Sequence, residues 1–251
     1  MIKLSPSKIA TYKQCPYKYR CDTDTQIRNA YKKDTPDLIF GNLIHGCLND
    51  FFKKTQKSER NYQTLRKLFE EKFKKNFEKH RRIFKTKENI IKYVEEAKKQ
   101  FKTFLSSKYS KTEPMVTEDF PRYLYSNELE LGGKFDRVDL VDDKLVLIDY
   151  KTGKYKENKQ EDNQFQLDFY EYLLSKIYPK FKTAKKVLFY LKENKIAEEK
   201  NNKDLNKVEE KILNYADVIK NDKEFKPKRN SLCNYCGYQE ICPLFRNKPV
   251  G

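Results

Sequence analysis

Apolar positions recur at helical spacing through the first part of the chain. Ser5-Pro6 reads as a helix entry, with serine as cap and proline at the first helical position, and Ile9 and Tyr12 follow at the right interval. The helix is expected to stop near Cys15-Pro16, because proline disfavours helix in the residue before it. Residues 34–37 read as loop. Ile44, Leu48 and Phe51 or Phe52 then share one face of a helix through residues 40–52, with His45 at the edge of that face and glycines at 41 and 46 permitting close approach of a backbone or ligand. Residues 60–110 read as a Lys-rich helical region, with Leu65, Phe69, Phe73, Tyr93, Phe101 and Phe104 as core and the lysines and His80 on the solvated side.

From Met115 the period changes to two. Strands over 115–125 and 128–141 are expected about a Ser126-Asn127 turn, and Leu145–Gly153 continues the meander after Asp142-Asp143. A helix runs from Phe165 to about Pro179, with Gln166 and Tyr170 on one face. Val187–Leu191 reads as a buried strand and Leu205–Ile219 as an amphipathic helix, while the tail from Phe225 shows no regular pattern.

The second hairpin carries chemistry. If Asp142 and Asp143 form a two-residue loop, Val141 faces Lys144, and counting back along both strands brings Asp136 opposite Asp149. Alternation then stands Lys151 beside Asp149 on the same face; a three-residue loop would move Asp136 to the other face. Like charges directly opposed destabilise a sheet, and a divalent cation such as Mg²⁺ or Mn²⁺ would relieve the repulsion between two hard oxygen ligands. An ammonium beside that ion could orient or deprotonate water, or offset charge on a phosphate.

Composition narrows the partner. The chain of 251 residues can bury one good core and carries 54 Lys+Arg against 37 Asp+Glu, net +17, which points to a polyanion. No apolar run approaches spanning length and Met1–Ser5 opens no signal peptide, so a cytoplasmic protein with no membrane partner is expected. Six cysteines in that compartment favour metal or cluster binding over disulfides. Cys233, Cys236 and Cys242 form a triplet that needs a fourth ligand, for which Cys15 is the natural candidate; Cys21 and Cys47 show no ligand spacing. Four thiolates suit tetrahedral zinc or a [4Fe–4S] cluster, and one remote cysteine plus a clustered triplet leans toward the cluster.

Six motifs in order resemble a known family: Ser5–Ile9 with Cys15–Tyr19, Gly41 with His45, Gly133 to Asp139, Ile148 to Gly153, Gln166 with Tyr170, and the terminal cysteines. Together they resemble the RecB-like branch of the PD-(D/E)XK nucleases, and within it the iron–sulfur members, which include the CRISPR-associated exonucleases of spacer acquisition and the AddB nuclease domain. The resemblance implies an α/β (α+β) fold: a restriction-endonuclease-like mixed sheet flanked by helices, with an iron–sulfur staple joining the chain ends. It implies one nuclease domain over residues 1–251, with 50–110 as a helical insertion roofing the site and 1–22 with 225–245 as the cluster region.

By the same resemblance, His45, Asp136, Asp149 and the backbone carbonyl of Tyr150 are metal ligands for Mg²⁺ or Mn²⁺, and Lys151 is the catalytic lysine. Gln166 and Tyr170 support the site and meet the substrate, Cys15, Cys233, Cys236 and Cys242 hold a [4Fe–4S] cluster, and Glu118 is the nearest match to a further acidic residue. The expected function is a metal-dependent exonuclease on single-stranded DNA or DNA ends, 5′ to 3′, serving CRISPR spacer capture with integrase subunits as partners. The alternatives are end processing in recombination and repair, a non-catalytic DNA-binding iron–sulfur subunit, and a zinc-stapled RNA-binding protein.

Overall fold

The computed structural model describes residues 1–200 and 204–246; the remainder of the expected single domain lies outside them. In chain order the elements are strand β1 (Ile2–Leu4), helices α1 (Pro6–Gln14), α2 (Pro16–Thr23), α3 (Thr25–Tyr31), α4 (Pro36–Lys53), α5 (Tyr62–Lys75), α6 (Phe77–Phe84) and α7 (Lys87–Ser106). Strands β2 (Pro114–Asp119), β3 (Arg122–Ser126), β4 (Leu129–Gly132), β5 (Phe135–Val141) and β6 (Lys144–Lys151) follow. Helix α8 (Gln160–Ile177), strands β7 (Lys182–Tyr190) and β8 (Lys195–Lys200), helix α9 (Leu205–Asn221) and the short α10 (Pro243–Arg246) complete the order. The chain divides into two compact units, one of Met1–Lys33, Arg122–Gly133 and Asp204–Gly251, the other of Asp34–Pro121 and Lys134–Lys203.

The larger unit holds a five-stranded sheet in the order β2-β5-β6-β7-β8. Asp142 and Asp143 both take positive φ (48° and 56°), the backbone of a two-residue type I′ turn whose twist matches the flanking strands. The register follows from that turn: Val141 pairs Lys144 and Arg137 pairs Ile148. Strands β6 and β7 are parallel, so the chain must cross over between them, and α8 is that crossover. Helix α4 opens with Thr35 accepting from the Leu38 N–H and Pro36 in its first turn. Its apolar stripe (Phe40, Ile44, Cys47, Leu48, Phe51) packs with Phe69, Phe101 and Phe104 of α5 and α7 against Ile148, Tyr150, Val187 and Phe189 of the sheet. The expected mixed sheet flanked by helices, with a helical stretch between α4 and β2, is present.

The smaller unit has a three-stranded sheet in the order β1-β4-β3, with β1 parallel to β4 and β3 antiparallel to it. Ser5 caps α1 by accepting from the Lys8 N–H, and the helix ends at Cys15. Tyrosines knit early and late segments of this unit: Tyr12 Oη donates to Asp222 (2.7 Å) and Tyr17 Oη to the Ile241 carbonyl (2.7 Å), while Tyr238 Oη donates to Asp22 (2.5 Å).

Three expectations change. The long strands expected over 115–125 and 128–141 are four shorter ones: the turn near Ser126 is present, but pairing breaks before Pro121, which has no N–H, and at Gly133. The loop expected over residues 34–37 already enters α4 at Pro36. His80, expected on the surface among Lys79, Arg81 and Arg82, is 4% exposed, lies against the Phe73 ring and has Nδ1 3.0 Å from the Phe73 carbonyl. The short α6 turns His80 and Phe84, four apart, inward together.

Candidate active site

In β6, Ile148 and Tyr150 face the helical core, and alternation turns Asp149 and Lys151 to the opposite face, toward α8. The β5–β6 ladder ends at Arg137 and Ile148; one residue further, the Asp136 carboxylate itself accepts the Tyr150 backbone N–H through Oδ2 (2.8 Å). Its other oxygen lies 2.8 Å from His45 Nδ1, which α4 delivers from a partly buried position. Gly41, one turn earlier on α4, comes close enough to the end of β6 that a Cβ there would lie 3.4 Å from Thr152 Oγ1.

Asp149 is 4% exposed. Its Oδ1 accepts from Gln166 Nε2 (2.9 Å), and its Oδ2 lies 2.8 Å from Lys151 Nζ as an ion pair with no aligned hydrogen bond. Lys151 in turn donates to Gln166 Oε1 (2.8 Å), which fixes the orientation of that amide: oxygen to the ammonium, nitrogen to the carboxylate. Gln166 Nε2 also lies 3.2 Å from Tyr170 Oη, and the Tyr170 ring packs edge-on against Phe135.

Electrostatics follow from this crowding. Burial pushes the Asp149 carboxyl upward, with Lys151 acting against it and the nearby Asp136 reinforcing it. Burial lowers Lys151, but the Asp149 charge and contact outweigh it, so the ammonium is held above its ordinary value. Burial likewise lowers His45, and Asp136 overcomes it and raises the imidazole. Glu118 has a positive φ of 42°, is paired by Lys134 at 2.7 Å, and borders the same small cleft as His45 and Asp136.

The open cavity over these residues, ≈ 370 Å³, is also lined by Lys154, Lys156, Lys159, Asn163 and Tyr190, which no sequence pattern singles out as site residues. The one available signal is a run of lysines directly after Lys151-Thr152-Gly153. Arg137 is a further residue that pattern alone does not mark. It is fully buried, ion-pairs with Asp139 (2.5 Å), donates to the Tyr109 and Thr112 carbonyls (2.6 and 2.8 Å) and stands 4.3 Å over the Phe52 ring. It braces β5 beneath Asp136.

The PD-(D/E)XK nuclease superfamily model matches residues 3–243, nearly the whole chain. The chain belongs to this superfamily. Among solved structures, the crystal structure of SSO0001 is similar over 98% of this chain and 87% of that chain, at 16% identity and a TM-score of 0.48. Comparison with curated proteins gives no match. Membership in the superfamily makes nuclease chemistry, the hydrolysis of phosphodiester bonds, the activity to be explained, and superfamily members generally use Mg²⁺ or Mn²⁺. No helix among the described residues is long and apolar enough to cross a membrane.

Among the described residues, no three His, Cys, Asp or Glu side chains are drawn into metal-ligand geometry as they stand. The PD-(D/E)XK donor set nevertheless fits a hard divalent ion chemically. Asp136 and His45 face each other across a gap now spanned by a hydrogen bond, and Asp149 Oδ2 is buried without an aligned donor. In the smaller unit, Cys15, Cys233, Cys236 and Cys242 line one cavity of ≈ 250 Å³, while Cys21 and Cys47 do not line it. The Lys228 and Asn230 backbone N–H groups point at the Cys15 and Cys233 sulfurs (3.4 Å each). Burial, then the neighbouring Cys15, Cys236 and Cys233, raise the Cys242 thiol. Burial pushes Cys21 to about 11 and Cys47 to about 12.

Proposed function

We propose that this chain is a metal-dependent deoxyribonuclease of the RecB-like iron–sulfur branch that trims single-stranded DNA from its ends, 5′ to 3′, for CRISPR spacer acquisition. The observation that carries the nuclease reading is the convergence of His45, Asp136, Asp149 and Lys151 in one cavity, with Gln166 bridging the last two. A Mg²⁺ or Mn²⁺ ion held by His45, Asp136, Asp149 and the Tyr150 carbonyl would polarise the scissile phosphate and acidify water. The Lys151 ammonium, held in place by Gln166, donates to the attacking water or to a phosphate oxygen and offsets charge in the transition state. Asp149 keeps that ammonium aimed into the cavity, and Tyr170 backs the amide.

The four thiols that line one cavity support a [4Fe–4S] cluster as a structural staple within the smaller unit. The order of motifs along the chain supports the spacer-acquisition setting, in which an integrase subunit is the partner.

The test is degradation of end-labelled single-stranded DNA with Mn²⁺, Mg²⁺ or EDTA. Wild type should cut only with metal and release label first from the 5′ end. Asp149→Asn and Lys151→Ala should each lose at least about 10²-fold in rate. Variants that cut as well as wild type would remove these residues from the mechanism. Separately, anaerobically purified protein should contain iron and absorb visible light, and Cys236→Ser should bleach it; stoichiometric zinc in a colourless preparation would refute the cluster.

A further inference from the structure

The loop after β6 carries lysines that neither ion pairs nor the proposed chemistry account for. Lys154, Lys156 and Lys159 are exposed, line the same cavity as Asp149 and Lys151, and have no acidic partner among the described residues. Nearby lysines are paired: Lys134 with Glu118, Lys185 with Glu198 and Lys192 with Glu96. Three unpaired ammoniums around one cavity repel one another, and Lys159 stands at the start of α8, where the helix dipole disfavours positive charge. Nothing in the packing of the loop repays that arrangement.

The loop is nevertheless held firmly. The Tyr155 backbone N–H donates to Glu193 (2.7 Å), and the Tyr155 ring packs edge-on against Tyr190 with centroids 5.3 Å apart. Lys195 Nζ covers that ring at 3.1 Å. Gln160 Nε2 donates to the Lys156 carbonyl (2.7 Å) and also meets Tyr190 Oη (3.0 Å), to which Asn163 donates as well. Lys156 has extended backbone (φ −136°, ψ 121°), so neighbouring side chains point to opposite sides. Tyr155 is anchored to one side, and Lys154 and Lys156 line the cavity on the other.

We infer that Lys154, Lys156 and Lys159 form a preset comb for the backbone phosphates that adjoin the scissile one, so that the site grips its strand by phosphates rather than by bases. The inference rests on the nuclease reading above and says how the same site takes its substrate. These are positioning residues: they hold the strand while Lys151 and the acids act on the bond between.

The experiment measures binding apart from cleavage. Anisotropy of a fluorescein-labelled oligothymidylate of about 12 nucleotides is followed with the full chain in EDTA, from about 50 to 200 mM salt. Relative to wild type, Lys154→Gln/Lys156→Gln should flatten the slope of log K against log salt by about 1.4, which is about 0.7 for each single-strand phosphate no longer neutralised. Lys144→Gln/Lys182→Gln, which removes the same charge from exposed positions at the ends of β6 and β7 opposite Lys151, should leave the slope unchanged. In Mn²⁺-supported cleavage the loop double variant should raise KM on the order of tenfold, with kcat within about twofold. Tyr155→Ala, which keeps every charge but frees the loop, should raise KM in the same direction. An unchanged slope in the loop variant, or an equal change in the Lys144→Gln/Lys182→Gln variant, overturns the inference while leaving the nuclease reading intact. A wild-type chain that neither binds nor cuts DNA overturns both.

Discussion

The Gln166 amide accepts from the Lys151 ammonium and donates to the Asp149 carboxylate, so one neutral side chain aligns two charges of opposite sign. Removing it should leave the ligands in place but loosen their aim. Gln166→Ala is expected to lower kcat by about 10–100-fold, the usual cost of losing a group that orients a ligand, with an unchanged melting profile; steady-state kinetics and a thermal scan on one preparation check both. A second residue sets acid stability. Burial raises the Glu198 carboxyl, but hydrogen bonds from Lys108, Lys185 and Tyr109 outweigh it and bring it to about 2, below its ordinary 4.5. A depressed carboxyl stabilises the fold above its unfolded value and loses that contribution as pH falls from 4.5 toward 2. Over that window the Tm of Glu198→Gln should fall less steeply than that of wild type. The register that brings Asp136, Asp149 and Lys151 to one end of the β5–β6 hairpin was legible in the sequence, because a two-residue turn fixes which residues face each other, but the ladder stops one pair short of the expected Asp136–Asp149 pair. Arg137 was not legible, because its partners Tyr109 and Thr112 come from a turn far upstream, and no local pattern announces them.

Helix α4 shows how far an element can be read from its pattern. The apolar stripe and the edge position of His45 follow from spacing, whereas the purpose of the two glycines does not. Gly41 is where α4 meets the end of β6. The three atoms nearest a Cβ on Gly46 all belong to the flexible Lys72 side chain, at 3.4 Å and beyond, and Lys72 is tied to Asp50. Gly46→Ala should therefore stabilise α4 by up to about 1 kcal/mol and raise the urea midpoint, since glycine costs helix interiors roughly that much. A drop of similar size would mean that Lys72 cannot yield. The strands were harder: period-two alternation runs straight through Phe120-Pro121 and Gly133-Lys134, and alternation carries no information about which sheet a strand joins.

At the scale of the molecule, each unit is discontinuous in sequence, and the smaller is assembled from three stretches. Its cysteine loop is fitted against the end of α3, where a Cβ on Gly237 would come within 2.3 Å of the Tyr31 carbonyl oxygen and 3.0 Å of the Lys33 nitrogen. Gly237→Ala should therefore lower the Tm, while Gly153→Ala, where nothing lies within 4 Å, serves as a neutral comparison for stability. The partition of six cysteines into four around a cavity and two apart could be read from spacing; the tyrosines that clasp the early and late segments could not, because hydroxyl partners more than two hundred positions away leave no periodic trace.

The order in which these parts leave the ribosome matters. Tyr170, the last of the candidate catalytic side chains, is synthesised well before Cys233, Cys236 and Cys242. A nascent polypeptide halted after β7 but before Cys233 would already carry those side chains and the strand that seats β6, yet only one of the four thiols that line the cavity of the smaller unit. Translational pausing in that interval, or a nonsense codon within it, would release such a species.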